Sequence, residues 1–391
     1  MELQEKMSQD ETGGKSKFML WYGVLFILCL TLLTILHLAA PDRSFSETEK
    51  RVLAKAPAFS AEALAQGRFT DELETYLADQ FPKREALMQL RMRLEYLLGR
   101  RESQGVYYGD GDYLMEKFNT PGMEIMGRTA TAVRGFLQRH PESKAYFVLV
   151  PTQADLMAEK LPSYAENADQ DAYIDSWYSA LKNEAVSIDV REAMRSAMAE
   201  GVQVYYRSDH HWTADGALSV LDTVEDAMGL AHRSFERAVV FNRFSGSLSA
   251  KSGWSLPVYD SIVMYTSSDP DFRYYIQEEE SGEKFLSCYD AKALSGYDPY
   301  EFYFGGNYPM LTVETSADTE RTLLVFKDSY ANSFLPFLFE DYRKIVIIDP
   351  RYYSYSADTL FLLDQFDDIL FLYNAETLAE DTSLRKVMEP L

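Results

Sequence analysis

The sequence has 391 residues and a formal net charge of −23 at pH 7, from 38 Lys and Arg against 61 Asp and Glu. Because phosphate backbones are bound through positive charge, this balance excludes a nucleic-acid binder that works through a basic groove. Hydrophobic residues make up 47% and charged residues 25%, which is the usage of a folded globular protein and not of a disordered chain. Only two cysteines are present, Cys29 and Cys288, which excludes a disulfide framework and a cysteine-based zinc site.

An apolar segment near the N-terminus, residues 18–40, contains no Asp, Glu, Lys or Arg. About 20 apolar residues suffice to cross a bilayer, and Trp21 and Tyr22 stand near one end, where interfacial aromatic residues are common. A cleaved signal peptide is the alternative, but its apolar region is usually about 7–15 residues. We therefore expect an uncleaved single-pass anchor in the cell membrane, with a cytoplasmic tail over residues 1–17. The distribution of Lys and Arg does not decide the orientation; the short tail and large distal part favour an extracytoplasmic main domain.

Residues 41–104 are rich in Ala, Leu, Glu and Arg, and predict a helical stalk or N-terminal extension in which Pro82 separates two helices. The stretch GVYYGDGDYL, which begins at Gly105, predicts two strands around a Gly-Asp-Gly turn. A helix over about 122–139 and a buried strand over 146–150 are expected next. A single larger domain is predicted to cover residues 105–391.

The remainder of that domain alternates between strand and helix patterns. A short strand is predicted over 202–206, and a helix after Thr213, which is a plausible N-cap. Residues 235–318, rich in Ser, Gly, Tyr and Phe, predict a β-rich insertion. From Thr322 onward, the stretches TLLVF, KIVIID and DILFLYN predict strands, with a KDSYANS turn and a helix over SFLPFLFED between the first two. This alternation is typical of a parallel sheet.

Two groups of reactive side chains each lie between a predicted strand and a predicted helix. A serine at such a turn, here Ser329, is exposed at the carboxyl edge of an α/β sheet. Backbone N–H groups at the start of the next helix can stabilise an oxyanion. His211 can supply the general base, and Asp209 can supply the group that orients it. The pattern therefore makes Ser329, His211 and Asp209 one candidate for a Ser–His–Asp triad.

Other roles for these residues stay open at the level of sequence. Asp209 can cap a turn, Ser329 can be a helix N-cap, and Ser333 is a second candidate nucleophile deeper in the predicted helix. Asp209, His210 and His211 are also residue types that bind metals. The sequence offers no further well-placed ligand and no HExxH pattern, so neither a metal nor a cofactor is predicted.

The strings SDHHWTADGA, FKDSYANSFLPFL, IDPRYY and FLYN together resemble the DHHW family of bacterial envelope proteins. That family is similar to the alginate O-acetylation proteins with a permuted SGNH-hydrolase-like domain. The resemblance begins near Glu47 and extends to about Thr377, with LADQFPKREAL, GVYYGDGDYL and DPYEFYFGGNYP also typical of it. It implies an α/β fold: an SGNH-hydrolase-like parallel sheet flanked by helices, with a β-rich insertion and an N-terminal transmembrane helix.

The resemblance also implies roles for single residues. The family motif Asp-x-His-Trp-Thr falls on Asp209, His211, Trp212 and Thr213, and leaves His210 at the variable position without a catalytic role.

The family nucleophile stands in a turn of the Gly-Thr-Ser-Tyr-Ser type, which matches Ser329 and Tyr330, while Lys327-Asp328 replaces Gly-Thr. An Asn side chain completes the oxyanion hole of SGNH enzymes, and Asn374 and Asn307 are two candidates for it. The residues expected to bind substrate are Trp212, Tyr330, Arg351 and Tyr353.

The function implied is a membrane-anchored, extracytoplasmic O-acetyltransferase that carries acetyl on Ser329 and transfers it to an envelope polysaccharide. The expected partner is a multi-pass membrane-bound O-acyltransferase that supplies acetyl across the membrane. Two alternatives remain: an acetyl esterase, which would use the same triad, and a non-catalytic glycan-binding or assembly protein of an acetylation complex.

Overall fold

The computed structural model describes residues 2–46, 51–362 and 364–390, and for residues 2–19 and 38 it describes the backbone alone. Glu47, where the family resemblance was expected to begin, lies outside the described residues. Contacts divide the chain into two compact units, residues 1–94 and 95–391. The boundary predicted from sequence, between an N-terminal extension over residues 41–104 and a larger domain over residues 105–391, stays a prediction.

The first unit begins with a long helix, α1 (Glu2–Ala39). Its segment Leu20–His37 has a mean hydropathy of 2.1 and is 0% buried, so it is long and apolar enough to cross a membrane. This helix covers the predicted anchor and is compatible with a single-pass membrane span. The backbone of the predicted tail is also helical from Glu2, while Met1 lies outside the described residues.

The rest of the first unit contains two short strands, β1 (Phe45–Ser46) and β2 (Arg51–Val52), the helices α2 (Ala61–Ala65) and α3 (Arg68–Asp79), and most of α4 (Arg84–Leu97), which ends three residues into the second unit. Pro82 separates α3 from α4 as predicted, because it has no backbone N–H to continue the helical ladder. The pair β1–β2 was not predicted, since a two-residue ladder leaves no periodic signal in a sequence.

The second unit contains the remaining helices and strands. Its strands are β3 (Glu102–Ser103), β4 (Val106–Gly109), β5 (Tyr113–Glu116), β6 (Lys144–Val150), β7 (Val186–Ile188), β8 (Phe235–Phe244), β9 (Asp260–Ser267), β10 (Tyr274–Glu278), β11 (Lys284–Phe285), β12 (Met310–Thr315), β13 (Thr322–Lys327), β14 (Lys344–Ile348) and β15 (Asp368–Asn374). Its α-helices are α5 (Met123–Arg139), α6 (Gln153–Leu156), α7 (Gln170–Leu181), α8 (Arg191–Ala199), α9 (Ala214–Leu218), α10 (Leu221–Met228), α11 (Ser247–Ser252), α12 (Ala375–Glu380) and α13 (Ser383–Met388). Short 3-10 turns are formed by Ala158–Lys160, Ala293–Ser295, Pro299–Phe302, Ser329–Ser333, Leu335–Asp341 and Ala357–Leu362.

An eight-stranded sheet in the order β11-β10-β12-β14-β13-β15-β6-β7 forms the centre of this unit. The strands from β14 to β7 are parallel to their neighbours, and β10, β11 and β12 are antiparallel. Every residue of β15 is buried, as expected for a parallel strand covered on both faces. Two hydrophobic cores lie on the two faces of the sheet. The predicted α/β class, with a mostly parallel sheet flanked by helices, is confirmed.

The predicted β-rich insertion, residues 235–318, has two structural parts. Strands β8 and β9 form a separate antiparallel pair. Strands β10, β11 and β12 extend the central sheet, because β12 pairs antiparallel with β14, with Met310 opposite Ile348. The GVYYGDGDYL hairpin is present as the antiparallel pair β4–β5.

Two predicted elements differ from the structure. The strand expected over 202–206 is reduced to one bridge between Tyr205 and Trp212, because these residues pair locally with the following loop and not with the sheet. The helix expected over SFLPFLFED is the 3-10 turn Leu335–Asp341. Most of its side chains are buried on all sides, so tertiary packing decides its geometry and not an amphipathic period.

Candidate active site

The SDHHW motif forms a buried loop that ends at α9. Thr213 is the N-cap of α9, and its Oγ1 accepts a hydrogen bond from Gly216 N at 2.9 Å, as predicted for this position. Gly216 is required here, since a Cβ would lie 2.2 Å from the Val204 carbonyl oxygen. This close approach of helix and preceding chain fixes Asp209 and His211 immediately before α9.

The Ser329 turn follows the carboxyl end of β13, at the edge of the central sheet. Asp328 caps the 3-10 turn by accepting from Tyr330 N at 2.9 Å and from Asn374 N at 2.9 Å. Ser329 is partly exposed, whereas Asp328 and Tyr330 on either side of it are buried. The serine therefore stands at a strand-to-helix turn, in the position the sequence predicted.

The structure brings Asp209, His211 and Ser329 together, although His211 and Ser329 are 118 residues apart. His211 Nδ1 lies 2.6 Å from Asp209 Oδ1, and His211 Nε2 lies 2.8 Å from Ser329 Oγ. Asp209 also accepts from His211 N at 3.0 Å and from Ser247 N at 2.7 Å. Since an ionised Asp209 only accepts, His211 donates from Nδ1 and presents Nε2 as an acceptor to the Ser329 hydroxyl.

The environment of this pair determines its charge. Burial first, and then the charge of the neighbouring His210, lower the pKa of His211 to about 4 against the opposing effect of Asp209. Burial raises the pKa of Asp209, but the positive charges of His211 and His210 and the hydrogen bonds from His211 and Ser247 hold it well below its usual range. At neutral pH the arrangement is therefore a carboxylate beside a neutral imidazole, which is the state that a general base requires.

Tyr300 contacts both halves of the site. Its ring stacks on the His211 imidazole, with centroids 3.7 Å apart and planes at 9°. Its hydroxyl donates to the Ser329 carbonyl oxygen at 3.0 Å. The sequence placed Tyr300 in the family-like stretch DPYEFYFGGNYP without a role, because its position between the two motifs depends on the folded chain.

Trp212 and Tyr330 join the two motifs in the core. Trp212 Nε1 donates to the Tyr330 carbonyl oxygen at 2.8 Å, and the Tyr330 hydroxyl donates to the carbonyl of His210. Trp212 is 0% exposed and Tyr330 is 1% exposed. The expectation that these two side chains bind substrate does not fit such burial; they hold the histidine loop against the serine turn.

The two oxyanion-hole candidates have different surroundings. Asn374 is buried and caps α12: its Oδ1 accepts from Glu376 N at 2.9 Å and its Nδ2 donates to the Val150 carbonyl at 3.2 Å. Its amide is thus committed to backbone groups. Asn307 Oδ1 accepts from Lys327 Nζ at 3.0 Å and from Asn332 Nδ2 at 3.2 Å, which turns its Nδ2 away from these donors. Of the two, Asn307 has the amide nitrogen that is better placed to donate elsewhere.

Arg351 and Tyr353 follow the carboxyl end of β14. Arg351 binds Asp349 through two hydrogen bonds, Nε to Oδ1 at 2.9 Å and Nη2 to Oδ2 at 2.6 Å. The buried Lys327 Nζ donates to the same Asp349 Oδ2 at 3.2 Å. Arg351 therefore holds the neighbouring carboxylate, while Tyr353 lines a cleft together with Tyr352 and other residues.

A metal site at Asp209, His210 and His211 is the competing interpretation of the histidine loop. One ligand atom from each lies within 4.8 Å of the others. However, both ring nitrogens of His211 already have partners in Asp209 and Ser329, and His210 Nδ1 lies 2.7 Å from Ser247 Oγ. Binding a metal would break these hydrogen bonds, so the geometry favours a proton relay.

Three further residues, Gln153, Gly246 and Ser247, position the site and were not identified from sequence. Gln153 Nε2 donates to the Tyr206 carbonyl at 2.7 Å and to the Asp209 carbonyl at 2.6 Å. Gly246 lies so close to Asp209 that a Cβ there would be 2.2 Å from Asp209 Cβ, and it delivers Ser247 N to the carboxylate. Each role depends on contacts between distant segments, so the residue type alone carries no signal.

Comparisons with known proteins agree with this fold. Residues 106–247 match the family model described as the SGNH hydrolase-like domain of acetyltransferase AlgX. The solved structure of a DHHW family protein from Eubacterium siraeum has a TM-score of 0.63 and 21% identity, over 73% of this chain and 95% of that one. PatB1 of Bacillus cereus, solved with a sulfonyl adduct, has a TM-score of 0.60 and 20% identity, over 72% and 98%. The chain thus has an SGNH-hydrolase-like fold.

Sequence relatives point to the same group. The chain is 28% identical over 159 residues to the probable alginate O-acetylase AlgJ of Pseudomonas fluorescens, covering 39% of this chain and 40% of that protein. It is 23% identical over 229 residues to the probable alginate O-acetylase AlgJ of Pseudomonas putida, covering 56% and 57%. The chain therefore spans about half the length of the curated relatives it matches. The resemblance predicted from the motifs, to DHHW and alginate O-acetylation proteins, is confirmed.

Proposed function

We propose that this chain is a membrane-anchored O-acetyltransferase that modifies an envelope polysaccharide outside the cytoplasm. The observation that carries the proposal is the hydrogen-bond chain from Asp209 Oδ1 through His211 to Ser329 Oγ, with distances of 2.6 and 2.8 Å. A neutral imidazole beside a partly exposed serine is the arrangement that activates a hydroxyl nucleophile. The names of the sequence relatives, probable alginate O-acetylases, support acetyl as the acyl group.

The reaction would proceed in two displacements. Ser329 Oγ attacks the carbonyl carbon of a donor acetyl ester while its proton passes to His211 Nε2. The bond from that carbon to the donor oxygen then breaks, and His211 returns the proton to the leaving alkoxide. In the second half a sugar hydroxyl gives its proton to His211 and attacks the acetyl carbon, and Ser329 Oγ leaves and regains the proton. Asp209 stabilises the imidazolium that forms in each half.

The tetrahedral intermediates carry a negative charge that needs donors. Ser329 N–H, at the start of the 3-10 turn, and the amide nitrogen of Asn307 are the groups we assign to it. Such preorganised donors usually supply the largest single contribution to catalysis of acyl transfer. Water has to be kept from the acetylated serine for transfer to exceed hydrolysis.

An anchor formed by α1 would hold this chemistry at a membrane. We infer that α1 spans the bilayer once and that the second unit lies on the extracytoplasmic side, where the acceptor polymer would be. A multi-pass membrane-bound O-acyltransferase would then deliver acetyl from the cytoplasm. The support for this arrangement is the apolar segment Leu20–His37 with its exposed side chains.

The test is the mass of the full chain, purified in detergent and incubated with 4-nitrophenyl acetate. One acetyl adduct is expected, located on Ser329 by peptide mapping. Ser329→Ala should lose it, and His211→Ala should slow its formation by about 10²–10⁴-fold. Ser333→Ala, a buried serine in the same turn, is the matched control and should be acetylated like the parent. Acetylation of a folded Ser329→Ala protein at the parent rate would contradict the proposal.

An acetyl esterase would use the same three residues, so the hydrogen-bond chain supports it equally. The two are separated by adding a sugar acceptor to the acetylated protein and measuring acetate release against acetyl-sugar formation. A non-catalytic glycan-binding or assembly protein would show neither product, and its cellular function would survive Ser329→Ala.

A further inference from the structure

A cleft with a volume of about 390 Å³ lies at the edge of the central sheet, outside the hydrogen-bonded triad. Tyr352, Tyr353 and Tyr355, from the segment after β14, form one side of it. Glu279 and Glu280, from the segment after β10, line another part. This volume falls within the range of about 300–1,000 Å³ that is usual for ligand pockets.

The cleft and Ser329 lie at the same edge of the sheet. Parallel strands β13 and β14 both end there, and β12, antiparallel to β14, begins there with Met310 opposite Ile348. Strand β10 is antiparallel to β12 and ends there with Glu278 opposite Leu311. With strands about 4.8 Å apart, β14 and β12 lie one and two strands from β13, which precedes Ser329, a separation of roughly 5–10 Å measured across the strands.

The tyrosines of the cleft are unusually exposed. Tyr352 is 52% exposed and Tyr355 is 70% exposed. The rings of Tyr353 and Tyr355 are 5.7 Å apart at an interplanar angle of 68°, so their faces point in different directions. Tyrosine offers an apolar face together with a hydroxyl, which suits a ligand with both C–H faces and hydroxyl groups. A sugar chain has both.

The charge of the cleft restricts which sugars fit. Glu279 and Glu280 contribute two carboxylates, and the residues that line it in the described part of the chain include no Lys, Arg or His. The cation that follows β14, Arg351, lies 5.6 Å from the ring centroid of Tyr352 and is held by two hydrogen bonds to Asp349. A polymer of uronic acids would place its carboxylates against those of the cleft, and such like-charge contacts act against binding.

We propose that this cleft is the subsite that holds the acceptor polymer, and that it accepts neutral or amino-sugar units and excludes uronic acids. The proposal rests on the proposed function, because only a transferase has an acceptor. The evidence for glycan binding in the cleft comes from the cleft's own geometry and does not depend on acetylation of Ser329. A chain of sugars bound across Tyr352 and Tyr355 would lie at the edge of the sheet that also carries Ser329.

The test uses binding without turnover. The full-length Ser329→Ala protein in detergent is titrated with hexamers of glucosamine, of N-acetylglucosamine and of mannuronate. The glucosamine hexamer should bind at least about tenfold more tightly than the mannuronate hexamer, a difference of about 1.4 kcal/mol, with N-acetylglucosamine between them. Adding Tyr355→Ala should weaken the glucosamine hexamer about tenfold, as expected for loss of an aromatic anchor.

Two matched variants test the assignment to this cleft. Tyr259, which is 56% exposed, does not line the cleft, so Tyr259→Ala should leave all three affinities unchanged. The double change Glu279→Gln and Glu280→Gln should reduce the preference for glucosamine over mannuronate. The proposal is overturned if mannuronate binds as tightly as glucosamine, if Tyr355→Ala has no effect, or if no hexamer binds at millimolar concentration.

The outcome is separate from that of the proposed function. Binding in the expected order, with no acetyl adduct on Ser329 in the parent chain, would keep the glycan subsite and reject the transferase. An adduct on Ser329 without binding of any hexamer would keep the nucleophile and reject the subsite.

Discussion

The protonation of His211 controls the pH dependence that we expect. The residue accepts the proton of Ser329 only while its imidazole is neutral, and burial lowers its pKa from 6.5 to about 4. Acetylation of Ser329 should therefore stay at full rate down to mildly acidic pH and fall only as the pH drops through about 4. The measurement is the rate of adduct formation between pH 3 and pH 8, and an acid limb at 6.5 or above would contradict the buried, neutral base.

His210→Gln tests one of the two causes of that low pKa, the other and larger being burial. The charge of His210 disfavours the imidazolium form of His211, so its removal should raise the pKa of His211 and shift the acid limb to higher pH. His232→Gln, at an exposed histidine outside the site, is the control and should not move the limb. If Asp209, His210 and His211 instead bound a catalytic metal, His210→Gln would abolish the rate at every pH.

A substitution at Gly246 tests whether the acetylation rate depends on the position of the Asp209 carboxylate. A methyl group at Gly246 would lie 2.2 Å from Asp209 Cβ and 2.4 Å from its Oδ2, so Gly246→Ala should displace the carboxylate from His211. We expect the acetylation rate to fall by at least about tenfold, because misplacement of about 1 Å is costly to catalysis. Gly127→Ala in α5 is the matched control, since no atom lies within 4 Å of the new Cβ. Equal rates in both variants would show that Asp209 tolerates the shift.

At this scale the sequence located the candidate reactive groups better than it located their supports. Asp209, His211 and Ser329 could be named because acid–base chemistry needs those residue types and because they fall on the family-like motifs. Trp212 and Tyr330 were assigned to substrate because an aromatic side chain looks the same in a cleft and in a core. The burial that separates the two cases depends on segments more than 100 residues away.

The pair of strands β13 and β14 supports the serine turn through a buried ion pair. Lys327 at the end of β13 and Asp349 after β14 are 3% and 0% exposed. Burial lowers the pKa of Lys327, and Asp349 opposes this effect. Asp349→Asn leaves the ammonium group buried without its counter-charge, and should lower the free energy of unfolding by about 3–5 kcal/mol.

The control for this change is Asp364→Asn, which removes the partner of Lys344 at a position where the carboxylate is 40% exposed. Exposed pairs contribute about 0–1 kcal/mol, so little change is expected. Chemical denaturation of the full chain in detergent compares the two variants. Equal destabilisation would show that the buried network contributes no more than a surface pair.

The elements themselves were largely predictable, for a physical reason. Strands β6, β13, β14 and β15 are continuous apolar runs, which parallel strands covered on both faces must be. The pairing of β12 with β14 was not predictable, since antiparallel pairing at a sheet edge is decided by which long-range partner is free. The segment over 202–206 was mistaken for a strand because its buried Tyr205 and Tyr206 resemble a core strand in sequence alone.

At the scale of the whole molecule, we expect the apolar N-terminal segment to anchor the protein in a membrane. The full chain should stay with the membrane fraction after an alkaline wash, and a protein lacking residues 2–40 should be released. The double change Leu28→Lys and Leu32→Lys, in the middle of the apolar segment, should also prevent insertion, at a cost of about 2.5–3.5 kcal/mol for each charge. Cys29→Ser is the control and should remain inserted. Retention of the double lysine variant would argue against a membrane span.

Strand β15 also fixes the order in which a working protein can appear during synthesis. It lies between β6 and β13, so among the described strands it alone joins the part of the sheet next to Gln153 to the strand that precedes Ser329. Asp209 and His211 leave the ribosome more than 100 residues before Ser329, and β15 leaves it later still. Until residues 368–374 have emerged, the two halves of the sheet lack their common neighbour. If Ser329 is the nucleophile that we propose, a chain caught partway through translation would not react with an acetyl donor, and Ser329 would become reactive only once the sheet is complete.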